Sequence, residues 1–229
     1  MTELRLIAGT AVAEPAEAEA MPTLRLPPGR HGIPADLVRS HQRQRLLEAA
    51  TAALAEQGYG RLTAARVTEL AGVSSRTFYQ HFEDLWACLL AAYETEAALL
   101  CAEVGGACAA LVDERGPIAE VDRRGRASVG IAAALGFLAA EPAVARLLSA
   151  EPPPQIAALA AARRDLVERL GTMLRAVLTD PDGATPLPGL ERRLIGAAMA
   201  LVAARAGGGD PQRLRDLEPE LSELLLVSL

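Results

Sequence analysis

The chain has 229 residues, of which 51% are hydrophobic and only 3% aromatic, and its formal net charge is −6. This length allows a small domain plus a larger one with a sizeable core, and the abundance of Ala and Leu with few β-branched runs predicts an all-α fold. Three cysteines without C-x-x-C spacing argue against a disulfide scaffold and predict a reducing, cytoplasmic location.

Charge is distributed unevenly along the chain. Residues 36–82 carry six Arg against four acidic residues, a net charge of +2, whereas the residues after Phe82 carry −7. The sequence contains no Lys, which we attribute to codon bias. A basic segment attached to an acidic remainder is expected when one domain contacts phosphates and the other must not bind DNA nonspecifically.

The first 34 residues are predicted to be a disordered tail or arm. The apolar stretch in residues 1–20 is too short, and Glu14 and Glu17 are unsuitable, for a signal peptide. Met21 offers a second start, so residues 1–20 are hypothesised to be a misassigned start or a dispensable extension. Residues 27–34 are rich in Pro and Gly and are either an arm that enters a DNA minor groove or a frayed linker.

The first helix is predicted from about residue 35 to residue 57, because Gly58 follows where a helix stops. The outward residues near its start are expected to be Arg39, Arg43 and Arg45. The residues expected to face the core are Leu37, Leu46, Leu47, Ala50, Ala53 and Leu54.

Residues 62–82, LTAARVTELAGVSSRTFYQHF, predict a helix-turn-helix. Thr63 and Ser74 are suited to cap the starts of two short helices, and Gly72 is suited to the positive φ that ends the first. The residues expected to face the core are Val67, Leu70 and Ala71 on the first helix and Phe78 and Phe82 on the second.

The second of these helices presents mostly hydrogen-bond donors outward. Hydroxyl, phenol and imidazole groups can reach phosphates, and Arg76 and Gln80 have forked donors that read base edges. A surface hairpin with polar side chains is the alternative interpretation. The run AGVSSRTFYQHF, preceded by a helix ending in QGY and followed by EDL, closely resembles the N-terminal DNA-binding domain of TetR-family transcriptional regulators over about residues 42–92.

The resemblance implies roles for individual residues. The first helix approaches the DNA backbone at its start and the third helix is the reader, with Ser75, Arg76 and Gln80 facing bases. The residues assigned to DNA binding are Arg39, Arg43, Thr63, Arg66, Ser74, Ser75, Arg76, Thr77, Tyr79, Gln80 and His81. Leu85 is a departure, because many relatives have a phosphate-binding Lys there. The backbone clamp is therefore expected to be weaker, with Arg66 and the arm compensating.

The predicted domains are the tail or arm at residues 1–34, a helix-turn-helix DNA-binding domain at 35–84 and a helical ligand-binding and dimerisation domain at 85–229. Asp84 is suited to cap a fourth helix, which is expected to break or bend at Gly105 and Gly106. Further helices are predicted over about 118–139, 144–148, 155–178 and 190–206, with a last one through Leu217. The late apolar helices either form a dimeric four-helix interface or close the monomer's own core.

The resemblance implies a bacterial, nucleoid-associated regulator that binds double-stranded DNA as a homodimer. A two-fold dimer places two reader helices in major grooves about 34 Å apart, so a palindromic operator is expected. A small apolar effector in the C-terminal bundle is expected to release a repressor, from an aliphatic pocket with Tyr93 and Phe137 as its few aromatic neighbours. The alternatives are a helical small-molecule-binding protein with a silent hairpin and a nonspecific DNA binder.

The sequence predicts no enzyme, no metal site and no cofactor, because it has no nucleophile–base pairing and no phosphate-cradling glycine loop, and its three His lack metal-ligand spacing. Cys101 and Cys108 are seven residues apart, which leaves a thiol sensor as a minor alternative to buried structural thiols. The apolar run IAAALGFLAA is too short to cross a bilayer.

Overall fold

The computed structural model describes residues 34–115, 123–178, 189–207 and 212–226. These residues form ten α-helices and no strand, which confirms the predicted all-α fold. The predicted tail or arm up to residue 33 and most of the predicted loop at 179–189 lie outside the described residues. The first three helices are α1 (Ala35–Gln57), α2 (Ala64–Ala71) and α3 (Ser75–His81).

Seven further helices follow in the described part of the chain. They are α4 (Leu85–Arg115), α5 (Arg123–Ala140), α6 (Pro142–Ser149), α7 (Ala157–Leu178), α8 (Leu190–Ala206), α9 (Gln212–Arg215) and α10 (Glu218–Leu226). Helix α4 packs on α1, α5 and α7, while α6 lies between α1 and α8. The short α2 and α3 are therefore connected to the body through α1 and α4.

The predicted caps of the helix-turn-helix are confirmed. The Thr63 hydroxyl accepts a hydrogen bond from the Arg66 amide at 3.2 Å, and the Ser74 hydroxyl accepts one from the Thr77 amide at 3.0 Å. Gly72 ends α2 with φ of 60°, a left-handed conformation that costs a residue without Cβ little. Local capping chemistry thus fixes where both helices begin and where the turn lies.

Aromatic and aliphatic side chains form the core under α3. Phe78 and Val67 are fully buried, and Phe82 packs beside Phe78 with ring centroids 6.0 Å apart. Leu70 is 39% exposed, contrary to the prediction, because α2 turns Val67, Thr68 and Ala71 inward instead. The buried Thr68 hydroxyl is satisfied by the Ala65 carbonyl at 2.9 Å.

The first turn of α1 extends beyond the core. Leu37 is 59% exposed, so the prediction that it faces the core is wrong, whereas Leu46, Ala50 and Ala53 are fully buried. Buried positions of α1 begin at Leu46, since α2, α4 and α6 contact the later turns of the helix. The predicted end at Gln57 is confirmed, and Gly58 follows it with φ of 68°.

Of the break or bend predicted for α4 at its glycine pair, the break is wrong, since the helix runs without interruption from Leu85 to Arg115. Asp84 caps its start, as predicted, by accepting from the Ala87 amide at 2.7 Å. A Cβ placed on Gly105 would lie 3.3 Å from Cε of Met173 in α7. Gly105 therefore allows α7 to approach closely and does not interrupt the helix.

Part of α4, Leu85–Ala110, is long and apolar enough to cross a bilayer. Cys88, Leu89, Ala92 and Tyr93 of this segment are nevertheless buried against other helices. A core helix meets the same criteria of length and apolarity, so one such helix is weak evidence for a membrane protein.

Candidate nucleic-acid interface

Helix α3 separates an apolar side from a hydrogen-bonding side. Phe78 is buried, whereas Ser75, Arg76 and Gln80 are exposed, and Tyr79 is 61% exposed. The Tyr79 ring meets the Phe78 ring edge to face, with centroids 5.2 Å apart. This contact holds the base of the Tyr79 ring against the core and leaves its hydroxyl directed outward.

The start of α1 and the end of α3 meet at a corner formed by Arg39, Arg43 and His81, here called the basic corner. The Arg43 guanidinium lies over the Phe82 ring, with Cζ 5.1 Å from the centroid. Partial burial lowers the pKa of His81, and the nearby charges of Arg39 and Arg43 lower it further. The guanidinium groups of Arg39 and Arg43 therefore lie near the His81 imidazole, although these two residues are 42 and 38 residues from His81 in sequence.

Two further residues assigned to DNA binding, the N-cap Ser74 and Thr77 in the first turn, lie at the start of α3. Ser74 and Thr77 join their hydroxyls at 2.9 Å, and Ser74 also caps the helix. Thr77 is half-buried and Ser74 exposed. The pair therefore combines a structural cap with donors on the outward side.

Arg66 of α2 was predicted to contact a phosphate, and in the structure it forms ion pairs with two carboxylates. Its guanidinium donates to Glu56 of α1 at 2.9 Å and to Glu69 at 3.1 Å. These hydrogen bonds raise the pKa of Arg66. Thr63, exposed one turn earlier, uses its hydroxyl as the α2 cap. Arg66 thus already uses two of its donors on carboxylates, whose negative charge disfavours a phosphate beside it.

Arg45 was predicted to point outward, and that prediction is wrong. Arg45 is half-buried and its guanidinium donates to the Ala71 carbonyl at the C-terminal end of α2. It follows Arg43 by two residues, which places it about 200° around the helix from Arg43. The sequence carried this signal, because 39 and 43 share a face that 45 does not.

At position 85, where the resemblance led us to expect a phosphate-binding lysine, this chain has a leucine that packs against the core. Leu85 is half-buried and packs against the main core, and Glu83 and Asp84 before it are exposed. The basic corner begins at His81, four residues earlier, at the same end of α3. Among the described residues, this corner is where cations are concentrated near the end of the reader helix.

A second feature is an apolar cavity of about 140 Å³ in the C-terminal helices. Its walls come from α4 to α8 and α10, and aliphatic residues such as Val104, Ile131 and Leu148 dominate them. The predicted aromatic neighbours do not line it. Tyr93 is buried and donates its hydroxyl to the Leu148 carbonyl at 3.4 Å, and Phe137 is half-buried outside the wall.

The three thiols have settings unlike those of reactive cysteines. Burial raises the pKa of Cys88 to about 12 and also raises the pKa values of Cys101 and Cys108. Cys108 lines the cavity wall near Gly130. Within the described ranges, no group of three or more His, Cys, Asp or Glu side chains is arranged to hold a metal ion.

Residues 46–92 match the family model for bacterial regulatory proteins of the tetR family. The chain is similar in fold to the fatty acid degradation regulator FadR from Bacillus halodurans, with a TM-score of 0.64 and 15% identity, covering 82% of this chain and 96% of that one. FadR from Bacillus subtilis, solved in complex with stearoyl-CoA, gives a TM-score of 0.63 and 16% identity, covering 81% and 98%.

A TetR-like transcriptional regulator from Rhodococcus sp. RHA1 gives a TM-score of 0.60 and 17% identity, with coverage of 88% of this chain and 97% of that one. None of the curated proteins matches the sequence significantly. The matched segment contains α2, α3 and the core that supports them, and the three solved structures share the fold over 81–88% of this chain. The resemblance stated from the run AGVSSRTFYQHF is therefore confirmed.

Proposed function

From a chain with a TetR-family DNA-binding domain on a TetR-type fold, we propose a sequence-specific transcriptional repressor that a small apolar ligand releases from a palindromic operator. The observation that carries this proposal is the outward face of α3, which presents Arg76, Gln80 and Tyr79 beside the basic corner. Side chains that donate hydrogen bonds from one exposed face of a helix can bind base edges and phosphates in a major groove.

Roles within the interface follow from donor geometry. Arg76 and Gln80 read base edges. The Arg76 guanidinium presents two donors in a fixed plane, and the Gln80 amide presents a donor and an acceptor in a fixed plane. Ser75 reaches a base edge at the start of α3. Thr77, Tyr79 and the basic corner bind phosphates, which fix the protein's position on the duplex without specifying sequence. The basic corner supplies the cations that Leu85 does not.

A homodimer brings two α3 helices to one operator. Helix α8 has an outward face of small residues, Ala197, Ala200, Ala203 and Ala204, all exposed in this chain. A second copy can approach such a face closely, which suits a two-fold interface of four helices. The two α3 helices, about 34 Å apart, then contact two half-sites that are one helical turn apart on the DNA. This operator lies in a bacterial chromosome within the cytoplasm.

The cavity supplies the ligand response. Leu100, Val104 and Cys108 of α4 line it, and α4 begins four residues after α3 ends. A ligand that changes the packing of these side chains therefore changes the position of the reader. A coupling free energy of about 1–3 kcal/mol lowers DNA affinity about 5- to 150-fold. The aliphatic lining favours an apolar, acyl-like ligand, as does the stearoyl-CoA bound to the similar Bacillus subtilis regulator.

The function is tested by selecting duplex DNA from a random pool with the full chain, followed by sequencing. A palindromic consensus is expected for the wild-type protein. In direct binding measurements, Arg76→Ala relaxes the preference at one base pair per half-site, at a cost of about 1–3 kcal/mol. Tyr79→Phe, which removes one hydroxyl from the same helix, weakens binding to all sequences alike.

The control for folding is the helical circular dichroism and thermal unfolding of each variant. Folded wild-type protein that enriches no sequence contradicts the proposal and favours a small-molecule-binding protein with a silent hairpin. Enrichment without sequence preference at fixed salt favours a nonspecific DNA binder.

A further inference from the structure

Helix α6 lies where the cavity, the DNA-binding helices and α8 come together. Ala145, Leu148 and Ser149 on α6 form part of the cavity wall. The same helix packs on α1 and on α8. Any ligand that displaces the α6 wall therefore moves a helix that also contacts the DNA-binding part of the chain.

Arg146 uses all three guanidinium nitrogens at this junction. Nε donates to the Ala206 carbonyl at 2.9 Å and Nη2 to the Gly207 carbonyl at 2.8 Å, both at the end of α8. Nη1 donates to the Ala55 carbonyl, two residues before the last residue of α1. One side chain of α6 thus bridges the C-terminal ends of two helices that are far apart in sequence.

The three acceptors are of a particular kind. The last carbonyls of a helix lack intrahelical donors and lie at the negative end of its dipole, so a cation there is stabilised twice, by hydrogen bonds and by charge. Only the planar fork of arginine donates in several fixed directions; a lysine ammonium is a single point of charge. Because the three bonds point to two different helices, a shift of α6 relative to either helix changes the geometry of at least one of them.

We propose that Arg146 is a positioning residue that transmits the state of the cavity to α1, and through α1 to the basic corner. The inference rests on the proposed function and adds a second route to the one through α4. Ligand-induced movement of Ala145 and Leu148 displaces the Arg146 guanidinium. Its hydrogen bond to the Ala55 carbonyl then either moves the end of α1 or breaks. Helix α1 carries Arg39 and Arg43, so its tilt changes the phosphate contacts.

The test is a double-mutant cycle that needs no identified ligand. Ala134→Leu, on the α5 wall of the cavity, places extra methyl groups in the space that a ligand would occupy. Its effect on affinity for the selected consensus duplex is measured by fluorescence anisotropy in wild-type and Arg146→Lys backgrounds. Arg192→Lys is the matched control, because the Arg192 ion pair with Glu168 at 2.8 Å joins α8 to α7 and not to α1.

We expect Ala134→Leu to change DNA affinity about fivefold or more when Arg146 is present. In the Arg146→Lys background the change is smaller by more than about twofold, beyond the scatter expected for independent sites, because only the route through α4 remains, while Arg192→Lys leaves the change intact. A merely structural Arg146 would lower the melting temperature yet leave the affinity change produced by Ala134→Leu unaltered. That result overturns the proposal, as does an Ala134→Leu variant that binds like wild type.

Failure of the proposed function is recognised separately, as an absence of any enriched duplex. Wild type, Ala134→Leu, Arg146→Lys and the double variant are then compared by hydrogen exchange at the amides of residues 54–57, which end α1. Filling the cavity is expected to alter their protection more where Arg146 is retained than where it is replaced by Lys. Equal protection changes in both backgrounds, or no change in either, overturn the inference even for a chain that does not bind DNA.

Discussion

For the single residue His81 in the basic corner, we predict a contribution to the pH dependence of DNA binding. Burial and the charges of Arg39 and Arg43 lower its pKa in the free protein. A phosphate beside the imidazole favours the charged form, so the pKa rises on binding and the complex holds more protons. Affinity should therefore increase as the pH falls from about 7.5 and level off below the lowered pKa of free His81.

The measurement is the dissociation constant of the consensus duplex across this pH range at constant ionic strength. His81→Gln is expected to flatten the profile, because glutamine donates without titrating. His41→Gln, on α1 outside the corner, serves as the control and keeps the slope. An unaltered slope in His81→Gln would remove this imidazole from the phosphate contacts.

At the scale of the element, the glycine pair in α4 separates helix propensity from helix packing. A Cβ on Gly106 meets nothing within 4 Å, whereas one on Gly105 lies 3.3 Å from Met173 Cε. Both are helical, so replacing either with Ala lowers the entropy cost of the helix. Gly106→Ala should therefore stabilise the protein by about 0.5–1 kcal/mol, and Gly105→Ala by less, because Met173 must move.

Thermal unfolding distinguishes the two variants. The Gly106→Ala gain corresponds to a rise of about 1–4 °C in the melting temperature for a chain of this length. Gly105→Ala should lie below it and also change the cavity, since Met173 is one of its lining residues. Equal shifts in the two variants would mean that the close approach of α7 at Gly105 carries no energetic cost.

At the scale of the whole molecule, the opposite charges of the two parts should govern the salt dependence of DNA binding. Residues 36–82 are basic and the remainder is acidic, so the proposed phosphate contacts are expected to come from the few Arg side chains of residues 36–82. Each lost phosphate contact reduces the slope of log K against log salt by about 0.9. Arg43→Gln should therefore give a shallower slope with an unaltered consensus.

The control is Arg205→Gln, in which the guanidinium lost belongs to α8 and pairs with Glu220 at 3.0 Å. Affinity for the consensus duplex is measured at several salt concentrations for both variants. Parallel slopes for Arg43→Gln and wild type would place Arg43 outside the phosphate contacts, and the cation–π contact with Phe82 would then be its main role.

Much of the DNA-binding part was predictable because its signals are local. The caps at Thr63 and Ser74, the turn at Gly72 and the burial of Phe78 all follow from spacings of a few residues. The same kind of signal misled at Leu70 and Gly105, since periodicity and propensity do not say which neighbour a helix meets.

Local sequence patterns thus suffice for the all-α class, the helix boundaries around α3 and the donors that α3 presents. Tertiary structure decided which charges are engaged. Arg66 is held by Glu56, Arg45 donates to Ala71 across 26 residues of sequence, and Arg146 donates to Ala55 across 91. The reason is physical: caps and helix faces depend on bonds between residues up to four apart, whereas the partners of a long side chain depend on how separate helices pack.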